Sequence, residues 1–301
     1  MPQDFAPPYG VPIDLTPELR RIVAPNPSPM TNRGTNTYIL GKTDLVVIDP
    51  GPDSKEHLGA ILNAVQASQK ITHIVVTHSH LDHSPLARDL ATETGAPVFA
   101  FGGPMAGRSW IMQQLASDGF SSGGEGIDTV FTPDICVHDG DMIDGRGWSL
   151  GVIHTPGHLG NHICLRWGNA CFTGDHVMGW ASSLVSPPDG DLTDFMKSSR
   201  RLNEDKWERF YPGHGDVVED PQKRLDWLIA HRETRERSIL KAMEKGPANA
   251  AEITDLVYKE TPASLIPAAR RNVLAHLIDL HGRAMVKTEE KLQAEARFAL
   301  G

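Results

Sequence analysis

Thr77-His78-Ser79-His80-Leu81-Asp82-His83 is the stretch on which the reading of this chain turns. Residues 78–83 hold three imidazoles and one carboxylate, a density of metal-binding groups that packing or solvation does not call for. A lone His-x-His usually marks two packed or solvated histidines, but the whole His-x-His-x-Asp-His string suits a borderline divalent cation such as Zn²⁺. The preceding residues, Ile71-Thr72-His73-Ile74-Val75-Val76, predict a buried β-strand, so the cluster sits where a rigid strand gives way to a loop. His78 and His80 alternate and can point to one side, with Asp82 and His83 following in the turn.

Three later segments repeat this design, an apolar run breaking into a glycine turn beside a candidate ligand. Val152-Ile153-His154-Thr155-Pro156-Gly157-His158 offers His158, Ala170-Cys171-Phe172-Thr173-Gly174-Asp175-His176 offers Asp175, and Phe210-Tyr211-Pro212-Gly213-His214-Gly215 offers His214. Glycine allows the sharp turn, and the strand before it holds the ligand in place.

In this order the motifs resemble the metallo-β-lactamase superfamily over most of residues 31–220. The resemblance implies a first metal held by His78, His80 and His158, a second held by Asp82, His83 and His214, and Asp175 bridging both. Asp49, in Val47-Ile48-Asp49-Pro50-Gly51, matches the acidic residue that steadies the ligand loop from behind, a role that fits the need to orient metal-binding imidazoles. A capped turn after a strand is the plainer explanation of the same aspartate. Many true β-lactamases of this fold use cysteine where this chain has Asp175, so the resemblance points to a bridging-carboxylate dinuclear hydrolase instead.

Composition agrees with the expectation of a soluble enzyme. At 301 residues the chain can bury a full core and carry an appendage. No stretch resembles a membrane span, and Met1-Pro2-Gln3-Asp4-Phe5-Ala6-Pro7-Pro8 lacks the regions of a signal peptide, so a cytoplasmic location with no membrane partner is expected. Cys136, Cys164 and Cys171 supply no disulfide framework, and the last two lie in core-like runs. Net charge is −9, which argues against a nonspecific nucleic-acid coat protein. The charge is uneven: residues 1–230 carry −11, residues 231–290 carry +1 and the last eleven +1.

Residues 1–31 are rich in proline and predict an extended segment, neither helix nor internal strand. Thr37–Leu40 and Leu45–Ile48 read as paired strands, and Leu58, Ile61, Leu62 and Val65 mark an amphipathic helix over about residues 54–69. Pro97–Ala100 is another short strand. Residues 101–126 are an insertion with a helical piece around Trp110–Leu115; in the fold resembled such a segment borders the active site. Strands flanked by helices, with ligands from strand ends along the chain, fit an α/β four-layer αββα sandwich in a catalytic domain of residues 1–220.

Beyond Pro221 the pattern becomes helical. A long amphipathic helix runs to about Gly246-Pro247, followed by helices over Ala250–Lys259 and Leu265–Leu280 and a short strand near Val286-Lys287. Three helices and a small wing predict a winged-helix-like domain over residues 221–301. Together with Tyr211-Pro212-Gly213-His214-Gly215, this tail resembles the lactamase-β-like branch, which includes a single-strand endoribonuclease. Arg270, Arg271 and His276 suit either a substrate contact or, more simply, a solvated helix face.

The ligand set implies two divalent ions, Zn²⁺ first and Mn²⁺ or Fe²⁺ as alternatives, that share an activated water. Asp82 would orient that water or pass on its proton, and His176 is a candidate extra acid. The substrate expected from the resemblance is single-stranded RNA, making the chain a phosphodiesterase of the endoribonuclease kind. A small-molecule thioester, as in glyoxalase II (hydroxyacylglutathione hydrolase), is the alternative, although residues 173–189 lack the Gly-Cys-Gly-Arg stretch typical of that enzyme. A non-catalytic nucleic-acid-binding protein is the third reading. His57, His73, His138, His154 and His162 receive no role.

Overall fold

The computed structural model describes residues 5–120 and 126–301. Part of the 101–126 insertion, residues 121–125, therefore lies outside the described residues. In chain order the catalytic region contains β1 (Ile13–Thr16), β2 (Leu19–Val23), β3 (Asn36–Leu40), β4 (Asp44–Ile48), α1 (Lys55–Asn63), β5 (Lys70–Val75), α2 (Leu86–Thr94) and β6 (Val98–Ala100). It continues with α3 (Trp110–Ser117), β7 (Ile135–Cys136), β8 (Met142–Gly145), β9 (Trp148–His154), β10 (Ile163–Trp167), β11 (Ala170–Gly174), α4 (Leu192–Asn203) and β12 (Arg209–Pro212). Then come α5 (Pro221–Met243), α6 (Ala250–Val257), α7 (Ile266–Gly282), β13 (Val286–Lys287) and β14 (Ala299–Leu300).

β1 to β7 form one sheet in sequence order, and β12-β11-β10-β9-β8 form a second. Their strands alternate between two cores because side chains on a strand point to opposite faces. In β4, Val46 and Ile48 face the second sheet and meet Leu150, Val152, Leu165 and Phe172, whereas Leu45 and Val47 face outward to Ile61 of α1 and Leu90 of α2. On the far side, Ile153, Cys164 and Cys171 of the second sheet pack on Leu192 and Phe195 of α4 and Leu225 and Leu228 of α5. The result is the expected helix-sheet-sheet-helix order.

Two local expectations change. The prolines of residues 1–31 do not keep the whole segment out of the sheet: Leu19-Arg20-Arg21-Ile22-Val23 contains none, so every residue of β2 can donate to a ladder, and β2 is an internal strand between β1 and β3. The first helix is also shorter than 54–69. Ser54 caps its start by accepting the His57 N–H, but after Asn63 the Gln69 side chain donates to Lys42 O at 2.8 Å and the Lys70 N–H to Thr43 O at 2.9 Å. Those bonds turn the chain into β5, which the apolar spacing through Val65 does not reveal.

The C-terminal helices enclose a separate core of Ile239, Met243, Ile253, Val273, Leu277 and Phe298, and α3 contributes Met112 and Leu115 to it. The insertion thus ties the sandwich to the module. α5 belongs to both cores, its first half packing with α4 and its second half with α6 and α7. Asp220 caps it and Pro221 opens its first turn, where a missing N–H costs nothing. α7 is buried through its central run, Val273-Leu274-Ala275-His276-Leu277-Ile278. His276 therefore does not lie on a solvated face, while Arg270 does. No helix among the described residues is long and apolar enough to cross a membrane.

Candidate metal centre

The ends of four strands meet at one edge of the two sheets. The loop after β5 brings His78, His80, Asp82 and His83; the loop after β9 brings His158, that after β11 Asp175, and that after β12 His214. All of these side chains are buried. They fall into two groups, one of His78, His80, His158 and Asp175 and the other of Asp82, His83 and His214, the candidate ligand atoms within each lying no more than 4.8 Å apart. His80 Nδ1 is 3.0 Å from both His78 Nε2 and His158 Nε2. Asp175 spans the groups: Oδ2 lies 3.6 Å from His158 Nε2 and 3.3 Å from His214 Nε2, and Oδ1 lies 3.4 Å from His83 Nε2.

The opposite edge of each imidazole shows why the inner atoms are lone pairs. His158 Nδ1 lies 2.7 Å from Leu184 O and His214 Nδ1 lies 3.2 Å from Gly34 O, acceptors that require N–H at Nδ1. His83 Nδ1 donates to Asp49 Oδ2 at 2.9 Å. Nε2 of these three rings is left bare and aimed inward. Asp82 Oδ1 and Asp175 Oδ1 are buried without hydrogen-bond donors. Asp82 Oδ2 lies 3.1 Å from His214 Nε2, but with the His214 proton on Nδ1 that pair sets one lone pair against another. Unshared pairs packed 3.0–3.6 Å apart repel unless cations lie between them. Ligand atoms around a tetrahedral ion with bonds of about 2.0 Å are separated by roughly 3.3 Å. The residues fit a pair of divalent ions.

Electrostatics makes the same demand. Burial works to lower His214, but the carboxylates of Asp175 and Asp82 outweigh it and push the ring up to about 10. His83 is likewise raised, by Asp82, Asp175 and Asp49 against burial. Burial and the neighbouring His158 hold His80 down to about 3. Without cations the centre takes up protons beside its carboxylates; with them, the rings serve as neutral ligands.

Asp49 stands directly behind the cluster. Its carboxylate accepts the Thr77 N–H and the Thr77 hydroxyl, each at 2.8 Å, in addition to His83 Nδ1–H. Its backbone is left-handed, with φ 51°, a conformation aspartate tolerates better than most residues. Gly213 is required by close approach: a Cβ there would come within 2.4 Å of Asp175 Oδ1.

Two supporting histidines receive no role in the sequence reading. His162 donates through Nδ1 to Thr155 Oγ1 at 2.8 Å and accepts the Asp175 N–H at Nε2, 3.2 Å away, so it holds Asp175 by its backbone. His57 Nε2 donates to Thr37 Oγ1 at 2.8 Å, and that hydroxyl donates to Asp49 O at 2.7 Å. Neither residue lies in a ligand motif; only tertiary contact reveals the role. His176 takes a different place from the one its sequence neighbour suggests. Its ring packs on Phe195 and donates to Ser199 Oγ at 3.0 Å, toward α4, and burial lowers it to about 3. At neutral pH the ring is uncharged and its one N–H is held by Ser199, so its observed duty is packing.

Burial likewise lowers His57 to about 4. Between that value and the ordinary 6.5 the unfolded chain binds the extra proton and the folded chain does not. Stability from this group is therefore complete above pH 6.5 and is lost as pH falls through 4, a difference on the order of 3 kcal/mol. His57→Gln keeps a donor for Thr37 and does not titrate. Urea unfolding at pH 7 and pH 5 should show the wild type losing more stability than this variant, by about 2 kcal/mol. Equal losses would assign the acid sensitivity to other groups.

Comparison with known proteins agrees with this geometry. Residues 30–214 match the metallo-beta-lactamase superfamily model, and residues 250–295 match the beta-lactamase associated winged helix domain. The chain is 31% identical to the beta-lactamase-like protein 2 homolog of Drosophila melanogaster, over 93% of this chain and 94% of that protein. It is 29% identical to an atrochrysone carboxyl ACP thioesterase of Aspergillus fumigatus, over 83% of this chain and 76% of that protein. In structure it resembles a beta-lactamase domain protein from Burkholderia ambifaria, with a TM-score of 0.81, 22% identity, and coverage of 99% of this chain and 96% of that one.

Proposed function

The chain belongs to the metallo-β-lactamase superfamily of hydrolases, and from that premise we propose that it hydrolyses acyl thioesters or esters at a dinuclear centre. His78, His80 and His158 would hold one ion, Asp82, His83 and His214 the other, and Asp175 would join the two. Such ions, zinc being the best fit to imidazole and carboxylate donors, would lower the pKa of a shared water to about 7 and polarise the electrophile. Asp82, whose buried oxygens have no hydrogen-bond donor, would orient that water and take up its proton.

The observation that carries the substrate class is an apolar pocket of about 230 Å³ that includes Leu184, whose carbonyl fixes His158. Met30, Met178, Trp180, Leu265 and Ala269 help line it, and no charged residue does. A pocket of this kind gains by burying an acyl group and offers no cation to a phosphate backbone. The thioesterase named among the relatives supports the same class.

Phosphodiester hydrolysis of single-stranded RNA is the second reading, favoured by the match to a winged-helix model. Against it, the central run Val273–Ile278 of α7, the third helix of that module, is buried and cannot contact a nucleic-acid strand. Arg271 is directed toward Pro187 O and the Phe120 ring, which leaves Arg270 as the exposed member of the pair.

Elemental analysis of the purified protein should find about two ions per chain, because a single catalytic ion needs only three ligands and a water. One ion under metal-replete conditions would contradict the dinuclear assignment. The substrate test is a panel of S-lactoylglutathione, N-acetylcysteamine thioesters of increasing acyl length, single-stranded RNA and bis-p-nitrophenyl phosphate. Turnover of the thioesters that improves with acyl size is expected. Salt-sensitive RNA cleavage that Arg270→Ala weakens, without thioester turnover, would overturn the acyl reading in favour of the second.

A further inference from the structure

On the face of the molecule formed by α4, α5 and α7 lies a cleft of about 520 Å³. Its floor contains Arg232 and His276, only 3% and 1% exposed. Both ring nitrogens of His276 and Nε of Arg232 are buried without a hydrogen-bond partner. A neutral imidazole always carries one N–H, so the floor presents two donors that lack an acceptor, a costly arrangement for buried polar groups.

The charges around the cleft leave the same gap. Arg200 pairs with Glu233 at 3.2 Å, and Arg283 pairs with Glu236 and Asp279. Arg232 instead donates to two neutral oxygens, Asn272 Oδ1 and Ser183 O, and Arg237 to Thr234 Oγ1. Among the described residues these two guanidinium groups have no carboxylate partner. A planar, weakly hydrated guanidinium combined with an imidazole N–H matches the oxygens of a phosphate, sulfate or carboxylate.

We propose that this cleft binds a small oxyanion-bearing metabolite, seated on Arg232, Arg237 and His276, and that its occupancy is transmitted to the metal centre. The cleft exceeds the size of a bare oxyanion, so the group recognised would be carried on a small organic body. The route of transmission is short. Arg232 grips Ser183 O, and Ser183 Oγ in turn donates to the backbone carbonyl of Asp175. Asn272 Oδ1 accepts from both Arg232 and the Val185 N–H, at 3.0 and 3.2 Å. Between Ser183 and Val185 lies Leu184, whose carbonyl orients His158. An anion that draws Arg232 toward the cleft acts on the segment that positions two candidate metal ligands.

The binding half of this proposal is independent of what the enzyme hydrolyses; the transmission half rests on the metal assignment. Sulfate is a suitable probe because it is a weak metal ligand. Calorimetric titration and thermal unfolding with sulfate, against chloride at equal ionic strength, should show saturable binding to the wild type. Arg237→Ala, an exposed position that leaves the core intact, should weaken it at least tenfold, and His276→Gln should weaken it as well. Sulfate effects no larger than those of chloride, or binding unchanged in both variants, would overturn the site. Release of zinc to a chromogenic chelator should change in rate at saturating sulfate in the wild type but not in Arg237→Ala. Saturable binding with an unaltered release rate would leave the site standing and overturn the transmission.

Discussion

Asp175→Ala should lower turnover by at least a thousandfold while the protein remains folded. Asp175 lies within 3.6 Å of candidate ligands in both groups, so its loss removes both a shared negative charge and the geometric link between them. A barrier increase of about 4 kcal/mol corresponds to that factor, and misplacing an activated water is of that size. The backbone at this position should stay in place, because His162 Nε2 accepts its N–H and Ser183 Oγ donates to its carbonyl. Steady-state rates on any substrate of the wild type, measured beside circular dichroism and metal content, decide the matter. A folded variant with unchanged turnover would remove Asp175 from the centre.

The second large effect is expected at a residue that touches no ion. Asp49→Ala deletes the acceptor for the Thr77 N–H, the Thr77 hydroxyl and His83 Nδ1–H, all of them buried. Each donor left unpaired costs roughly 1–3 kcal/mol, and loss of such a supporting contact usually weakens metal binding by about 10–100-fold. Alanine also tolerates the left-handed φ of 51° less well than aspartate. Asp49→Asn keeps the backbone preference and one acceptor oxygen, so it should fall between the two. Zinc competition with a chelator and urea unfolding of all three proteins should place them in that order. Identical affinities would mean that the aspartate only shapes a turn.

The ligand motifs were legible because metal binding needs rare residue types at short spacing. His78-Ser79-His80-Leu81-Asp82-His83 carries its chemistry in the letters themselves, and the glycine turns before His158, Asp175 and His214 mark strand ends that can present a side chain. The paired apolar strands Thr37–Leu40 and Leu45–Ile48 were equally local. The supporting residues were not legible. Nothing near His57 in the chain indicates that it lies under Asp49, and nothing near His162 announces a bond to the Asp175 N–H, because those contacts join different elements of the fold.

The sequence by itself therefore determined the inventory of candidate ligands, the apolar strand runs of the sandwich and the change of character at Pro221, all properties of neighbouring residues. Tertiary structure alone decided the rest. It made β2 an internal strand despite the surrounding prolines, since ladder pairing depends on the residues within the strand. It turned His176 toward Phe195 and Ser199, because the chain direction after Gly174 is set by contacts with α4. It buried α7 between the module and the sandwich, placed an apolar pocket against Leu184 and left Arg232 and His276 facing an open cleft. Each of these depends on which surfaces meet, and surfaces that meet across hundreds of residues leave no periodicity in the chain.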